Sequence, residues 1–376
     1  MTLVRLLILM LAWHCLAACL PLSSGAMAMP PAAEPRDAIA PVLPRAGRAR
    51  PLVAVLAQNR HTELADLLVP VAVLREADAA DVAIVATGPG RIMLVPAMQV
   101  EADMTLAGFD AAHPEGPDVV VVPAVHDPAD ATLLAWIRRQ AARGARIMGI
   151  CDGAQVLAHA GLLDGRAATI HWYSLNDMRK SFKTTRWTAH ARYLEDGNVV
   201  TTSGVTAAVP ASLALVEAIA GPAHAAATAR RIGLSTWTAR HDGSAFRLAP
   251  RHLLAAARGW LTAWPAEAVP LPVGDGVDEI ALALTADAYS RSYRSRAVAV
   301  GPAAHATGRR GIRIVADRVE PQPRTHAILR PPAQGIAPLP ALDAALANLA
   351  AAYGRATAEL VALQLEHPWP GAPERR

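Results

Sequence analysis

The stretch "PDVVVVPAV", Pro117 to Val125, contains four consecutive valines, Val119 to Val122. Side chains alternate between faces along a strand, so a strand of this composition offers no polar face to water and must be covered on both sides. That is the situation of a parallel sheet with helices above and below it. The flanking sequence has the matching rhythm. "PLVAVLAQN" at Pro51 reads as a buried strand with a polar exit; Thr62 to Arg75 has helical spacing at Leu64, Leu67, Leu68, Val71 and Leu74; "DVAIVAT" at Asp81 is a second strand. "DATLLAWIRRQAARG" predicts an amphipathic helix stopped by glycine, "ARIMGI" and "GNVVTTSG" predict strands, and "VPASLALVEAIAG" predicts a further helix ended by glycine. The expected fold is doubly wound α/β: a mostly parallel sheet with helices on both faces, reactive groups at the carboxyl ends of its strands, and a smaller C-terminal α/β segment.

Cys15 and Cys19 lie near the start of the chain, and Cys151 is the only other cysteine. It stands between Gly149 and Gly153, where the strand "ARIMGI" must turn into the helix "AQVLAHAGLL". G-x-C-x-G is a cysteine version of the nucleophile elbow. The glycines admit close backbone approach, and a sulfur at the positive end of a helix is expected to have a depressed pKa. Thiolate is both the nucleophile and the oxidisable form; a buried cysteine acting as a small hydrophobe is the structural alternative. His171, in "RAATIHWYS" twenty residues after Cys151, follows the elbow helix and a short strand, and is expected to reach the sulfur as proton carrier. His126 in "VPAVHDPAD" is the weaker candidate, and His159, inside the elbow helix, is expected to be structural.

The chain opens differently. Arg5 precedes an almost wholly apolar run, Leu6 to Leu20, and residues 1–28 have the shape of an export signal. Three routes fit: cleavage after Ala26-Met27-Ala28, lipidation at Cys19 of Leu16-Ala17-Ala18-Cys19, or an uncleaved N-terminal anchor. The expected location is outside the cytoplasm, periplasmic or membrane-anchored. Residues 29–50, rich in Pro, Ala and Arg, read as a tether, 51–221 as the main domain, 222–264 as a helical extension, 265–276 as a second linker, and 277–370 as a C-terminal segment. That segment ends in "ALDAALANLAAAYGRATAELVALQLE", which reads as one long helix. Net charge is +4, but the arginines are scattered in pairs such as Arg230-Arg231 and Arg309-Arg310, which solvated faces explain better than a nucleic-acid footprint, so no nucleic-acid partner is expected.

"GICDGAQVLAHAGLLDGRAATIHW" and, further on, "TSGVTAAVPASLALVEAI" resemble the ThiJ/PfpI superfamily, the family of Parkinson disease protein seven, over about Pro51 to Gly221. The likeness is to the branch shared with isonitrile hydratase and the sensor domains of AraC-type regulators. It implies a flavodoxin-like, class I glutamine-amidotransferase-like fold. It also implies a carboxyl from the first helix set against Cys151, which falls on Asp66 with Glu63 as neighbour, and an oxyanion site from the backbone amides of Asp152 and of the loop near Ala124 and Val125, beside Gly153. Relatives often have glycines where this chain has Ala124-Val125, and peptidase-like members have histidine where it has Asp152. Relatives commonly dimerise, so a homodimer is among the expectations.

Shifting the chain by 216 positions sets Glu63 on Glu279, Leu64 on Ile280, Arg75 on Arg291, Val82 on Val298 and Ile84 on Val300. Two explanations stand: chance likeness, or a degenerate partial repeat that has lost the elbow. Two functions fit the named residues: an exported cysteine-dependent hydrolase, hydratase or glyoxalase-like enzyme acting on a small molecule, or a non-catalytic ligand-binding or redox-sensing envelope module. A regulator's sensor is the third, disfavoured by the lack of a helix-turn-helix pattern. No reading calls for a cofactor or a metal.

Overall fold

The computed structural model describes residues 36–262, 266–320, 329 and 335–370. Its central sheet has seven strands in the order β11 (Tyr193–Asp196), β12 (Val199–Thr202), β8 (Arg146–Gly149), β7 (Val119–Val122), β1 (Leu52–Ala57), β3 (Asp81–Ala86), β6 (Met104–Thr105). All neighbours are parallel except β11 and β12. The valine run explains why. Val119 and Val121 point into one core with Val53 and Val55, while Val120 and Val122 point into the other with Ala54 and Leu56. Helices α1 (Leu64–Ala77) and α6 (Ala208–Ala220) cover the first face; α3 (Ala131–Ala142) and α4 (Gly153–His159) cover the second.

Taken in chain order, the strands β1, β3, β7, β8 and β12 lie 2-1-3-4-5 across the sheet, the flavodoxin-like order, with its switch point between β1 and β7. The chain leaves β1, β7 and β8 at one edge. This places the start of α1, the loop after Val122 and the elbow side by side.

The C-terminal segment is α/β as well. β13 (Glu267–Pro272) pairs in parallel with β14 (Ser295–Gly301), which pairs in parallel with β17 (Arg318–Val319); α9 (Glu279–Ser290) joins the first two strands. A second sheet runs β15 (His305–Thr307), β16 (Arg313–Val315), β5 (Gln99–Glu101), β4 (Arg91–Val95), β2 (Arg60–Glu63), and so stitches this segment to the first domain.

Three expectations need correction. The supposed tether 29–50 is docked where it is described: Ile39 and Val42 are buried, the Val42 amide donates to the Ala218 carbonyl, and Arg45 and Arg48 pair with buried Asp118. The supposed linker 265–276 holds β13, whose Val269 and Leu271 enter the core. The long C-terminal helix is two, α10 (Pro338–Tyr353) and α11 (Arg355–Gln364), because Gly354 takes φ 91°, outside helical space. Residues 1–28 lie outside the described residues, among which no helix is long and apolar enough to cross a membrane.

Candidate functional site

The elbow forms as a sharp turn. Cys151 has φ 54°, a left-handed conformation that costs a side-chain-bearing residue roughly 1 kcal/mol or more. Gly153 is required, since a Cβ there would overlap the Val122 carbonyl oxygen on β7. The Cys151 amide donates to Thr202 Oγ1 on β12 at 2.9 Å, which pins the turn to the next strand.

The thiol is buried, and its pKa is the reverse of the expectation. Burial pushes it well above the ordinary thiol value, and Asp66, Asp152 and Glu63 push it further, against a hydrogen bond from the Asp152 amide. Helix α4 has only seven residues, too short for its dipole to outweigh burial and three acidic neighbours.

The acids come from the start of α1. Glu63 caps the helix, accepting from the Asp66 amide at 2.9 Å. Asp66 is fully buried; its Oδ2 accepts from the Ala124 amide at 3.1 Å and its Oδ1 has no partner. The Ala124 amide expected for an oxyanion therefore serves Asp66 instead. Val125 is half-buried against the second core, and Asp152 accepts from Ser174 Oγ at 2.7 Å.

Both ring nitrogens of His171 are engaged by backbone groups. Its Nδ1 accepts from the Tyr173 amide at 3.3 Å and its Nε2 meets the Gln364 carbonyl at 3.0 Å, so the bonds define Nε2 as the protonated nitrogen. His126 is exposed and edge-on to His61, and His159 is edge-on to Phe182.

Four residues that sequence reasoning missed complete the arrangement. Arg291, at the end of α9, donates from Nη2 to Glu63 Oε1 and from Nε to Asp287 Oδ1 at 2.5 Å. Burial works against the Arg291 charge, but Asp287 and Glu63 more than offset it and hold the guanidinium firmly protonated. Burial likewise pushes Glu63 and Asp66 upward, followed by the repulsion of Asp287 on each. One cation cannot keep three carboxyls ionised in a buried site. Arg291 touches Glu63 and Asp287, so we assign the proton to Asp66, where it turns the unpaired Oδ1 from an acceptor into a donor.

The other two residues lie at the end of α11 and just beyond it. Gln364 meets His171 through its carbonyl and donates from Nε2 to the Arg291 carbonyl at 3.1 Å. Glu366 is buried, with Oε2 accepting from the Gly204 amide and Oε1 2.6 Å from His241 Nε2. Trp172 Nε1 donates to the Leu363 carbonyl at 2.8 Å. The only sequence signal for any of these was the 216-residue match that aligns Arg291 with Arg75.

Fold and turn together define a doubly wound α/β protein that presents a cysteine at a strand-to-helix elbow. Residues 52–218 match the DJ-1/PfpI family, and this part of the chain is a DJ-1/PfpI family domain. Among curated relatives, the HTH-type transcriptional regulator CdhR of Pseudomonas aeruginosa is 32% identical over 138 residues, 36% of this chain and 41% of the regulator. Isonitrile hydratase of Pseudomonas putida is 35% identical over 92 residues, 24% of this chain and 39% of that enzyme. The chain thus spans less than half the length of either relative. Among solved structures, a cysteine-to-alanine mutant of a DJ-1 superfamily protein from Salmonella typhimurium is 26% identical with a TM-score of 0.44, covering 50% of this chain and 100% of the other.

Proposed function

We propose that the DJ-1/PfpI domain is a thiol-dependent enzyme site for a small molecule, of hydratase, hydrolase or glyoxalase-like type, in an exported protein. One observation carries this reading: Cys151, strained at φ 54°, lies within electrostatic reach of a fully buried Asp66 whose Oδ1 has no partner. Strain and a buried acid both cost stability, and such features concentrate at working sites. The high thiol pKa calls for attack coupled to proton transfer. As the sulfur bonds to an electrophilic carbon, the S–H bond breaks and Asp66 takes that proton on one oxygen. From the other it delivers its own proton to the substrate atom that gains the electron pair. Water then displaces the sulfur from the carbon and the thiol is restored. The resemblance to an isonitrile hydratase supports addition of water to a small unsaturated molecule.

A second reading, ligand binding or redox sensing without turnover, is favoured by a specific observation. Both ring nitrogens of His171 hold backbone groups, and the Ala124 amide holds Asp66. The regulators among the relatives fit it. Alkylation of Cys151 across pH, followed by a turnover screen on methylglyoxal, isonitriles and amides, separates the two. Turnover abolished by Cys151→Ala establishes the enzyme, and ready alkylation without turnover establishes the sensor. A thiol that stays inert at every pH rejects both.

A further inference from the structure

The proposed chemistry leaves residues 267–319 without a role, yet apart from β2 they repeat the opening of the domain in the same order of elements. β1, α1, β3, β4, β5 and β6 have counterparts, in order, in β13, α9, β14, β15, β16 and β17. The parallel pairs β1–β3 and β3–β6 recur as β13–β14 and β14–β17, and the antiparallel pair β4–β5 recurs as β15–β16. Sequence and structure agree on the alignment: the 216-residue shift that sets Glu63 on Glu279 and Arg75 on Arg291 also sets α1 on α9.

The two units meet through equivalent parts. Helix α1 packs on α9, and β5 pairs antiparallel with β16, Val100 opposite Ile314. Each element meeting its own counterpart is the signature of a local two-fold axis, the geometry of an isologous dimer built within one chain. The symmetry breaks where the chemistry lies. The position of Asp66 is Leu282 in the second unit, and the position of Asp287 is Val71 in the first. Arg75 pairs with Asp103 at 2.5 Å, whereas its counterpart Arg291 crosses the axis to Glu63 and is braced by buried Asp287.

We propose that residues 267–319 are a truncated second copy of residues 52–105, serving as a built-in partner, and that through it Arg291 is a positioning residue governing the elbow thiol. The inference rests on reading Cys151 as the reactive group. The charged groups facing that sulfur are Glu63 and Asp66 from α1, Asp152 from the elbow and Arg291 from α9, with Asp287 acting on the two α1 acids. Arg291 is the single cation among them. It holds Glu63, the cap of α1, and with it the start of the helix that carries Asp66.

The test is the pH profile of iodoacetamide alkylation in the full chain, read by mass spectrometry on the tryptic peptide Ile147–Arg166. Glu63→Gln and Arg291→Gln delete the same ion pair but change the charge in opposite directions. The midpoint is expected to move to higher pH in R291Q, with alkylation at a fixed pH below it slowed about tenfold, and to lower pH in E63Q, with alkylation accelerated by a similar factor. R291K is expected to restore the wild-type midpoint, and R75Q, at the symmetry-related position, to leave it unchanged. A purely structural contact would shift E63Q and R291Q the same way, and that result overturns the proposal, as does R75Q matching R291Q. Should R291Q not fold, E63Q and R291K still decide: an E63Q midpoint at or above the wild-type one overturns it. A reactive wild-type thiol with unmoved variants sinks this inference alone, opposed shifts without turnover sink only the enzyme reading, and an inert wild-type thiol sinks both.

Discussion

Truncating Glu366 to alanine should unlatch the C-terminal tail from the elbow domain. The carboxylate is buried between the Gly204 amide and His241 Nε2. Removing it strands two buried polar groups, the Gly204 amide and the His241 ring nitrogen, at about 1–3 kcal/mol each. Together the two put the expected loss at about 3–5 kcal/mol. The same latch carries the Thr206 amide on the Leu365 carbonyl and Trp172 Nε1 on the Leu363 carbonyl. Hydrogen exchange reads it directly. In E366A the Gly204 and Thr206 amides should exchange at least about a hundredfold faster, the equivalent of about 3 kcal/mol, and Trp172 fluorescence should change. E366Q keeps a carbonyl oxygen for Gly204 and offers an amide donor to His241 once the ring carries its proton on Nδ1, and should lose less than half as much. Unchanged protection of Gly204 and Thr206 in E366A, with an unchanged denaturation midpoint, would refute the latch.

Other outcomes follow from the site. Cys151→Ala should abolish alkylation of the Ile147–Arg166 peptide and any turnover while changing stability by no more than about 1–2 kcal/mol in denaturant titration, because only a small buried atom is removed. Gly153→Ala should destabilise by about 3 kcal/mol or more, or prevent folding, since the Val122 carbonyl it meets belongs to a central strand and cannot withdraw. Asp66→Asn tests the buried proton. Burial, then Asp287, holds the carboxyl well above its ordinary 3.8, so the folded chain keeps a proton that the unfolded chain releases. That contribution is fully present below pH 3.8 and is lost as pH rises toward the folded value, so D66N should gain stability over the wild type progressively above that pH. A difference flat with pH in urea titrations would show that Asp66 is ionised in the fold. Cell fractionation should find the protein in the envelope.

What the sequence made legible was local, and what it hid was not. The valine run, the strand–helix alternation and the glycines around Cys151 are each set by a few neighbouring residues, and the sheet and the elbow follow from them. Ile39 and Val42 are two apolar residues amid proline and arginine, too few to form a period, so their docking shows only when the surface that receives them exists. Gly354 interrupts an apolar pattern that continues on both sides, and composition alone carries the eye past it. The sign of the thiol shift failed for a related reason. A helix terminus is visible in sequence, whereas burial and the convergence of Glu63, Asp66 and Asp152 are products of tertiary packing, and they outweigh two turns of helix. Arg291 is the extreme case: its partner Glu63 is 228 residues away, and only the faint repeat relates the two. Because that arginine is, among the described residues, the cation acting on the thiol and its acids, what Cys151 can do is governed by a segment with no elbow of its own.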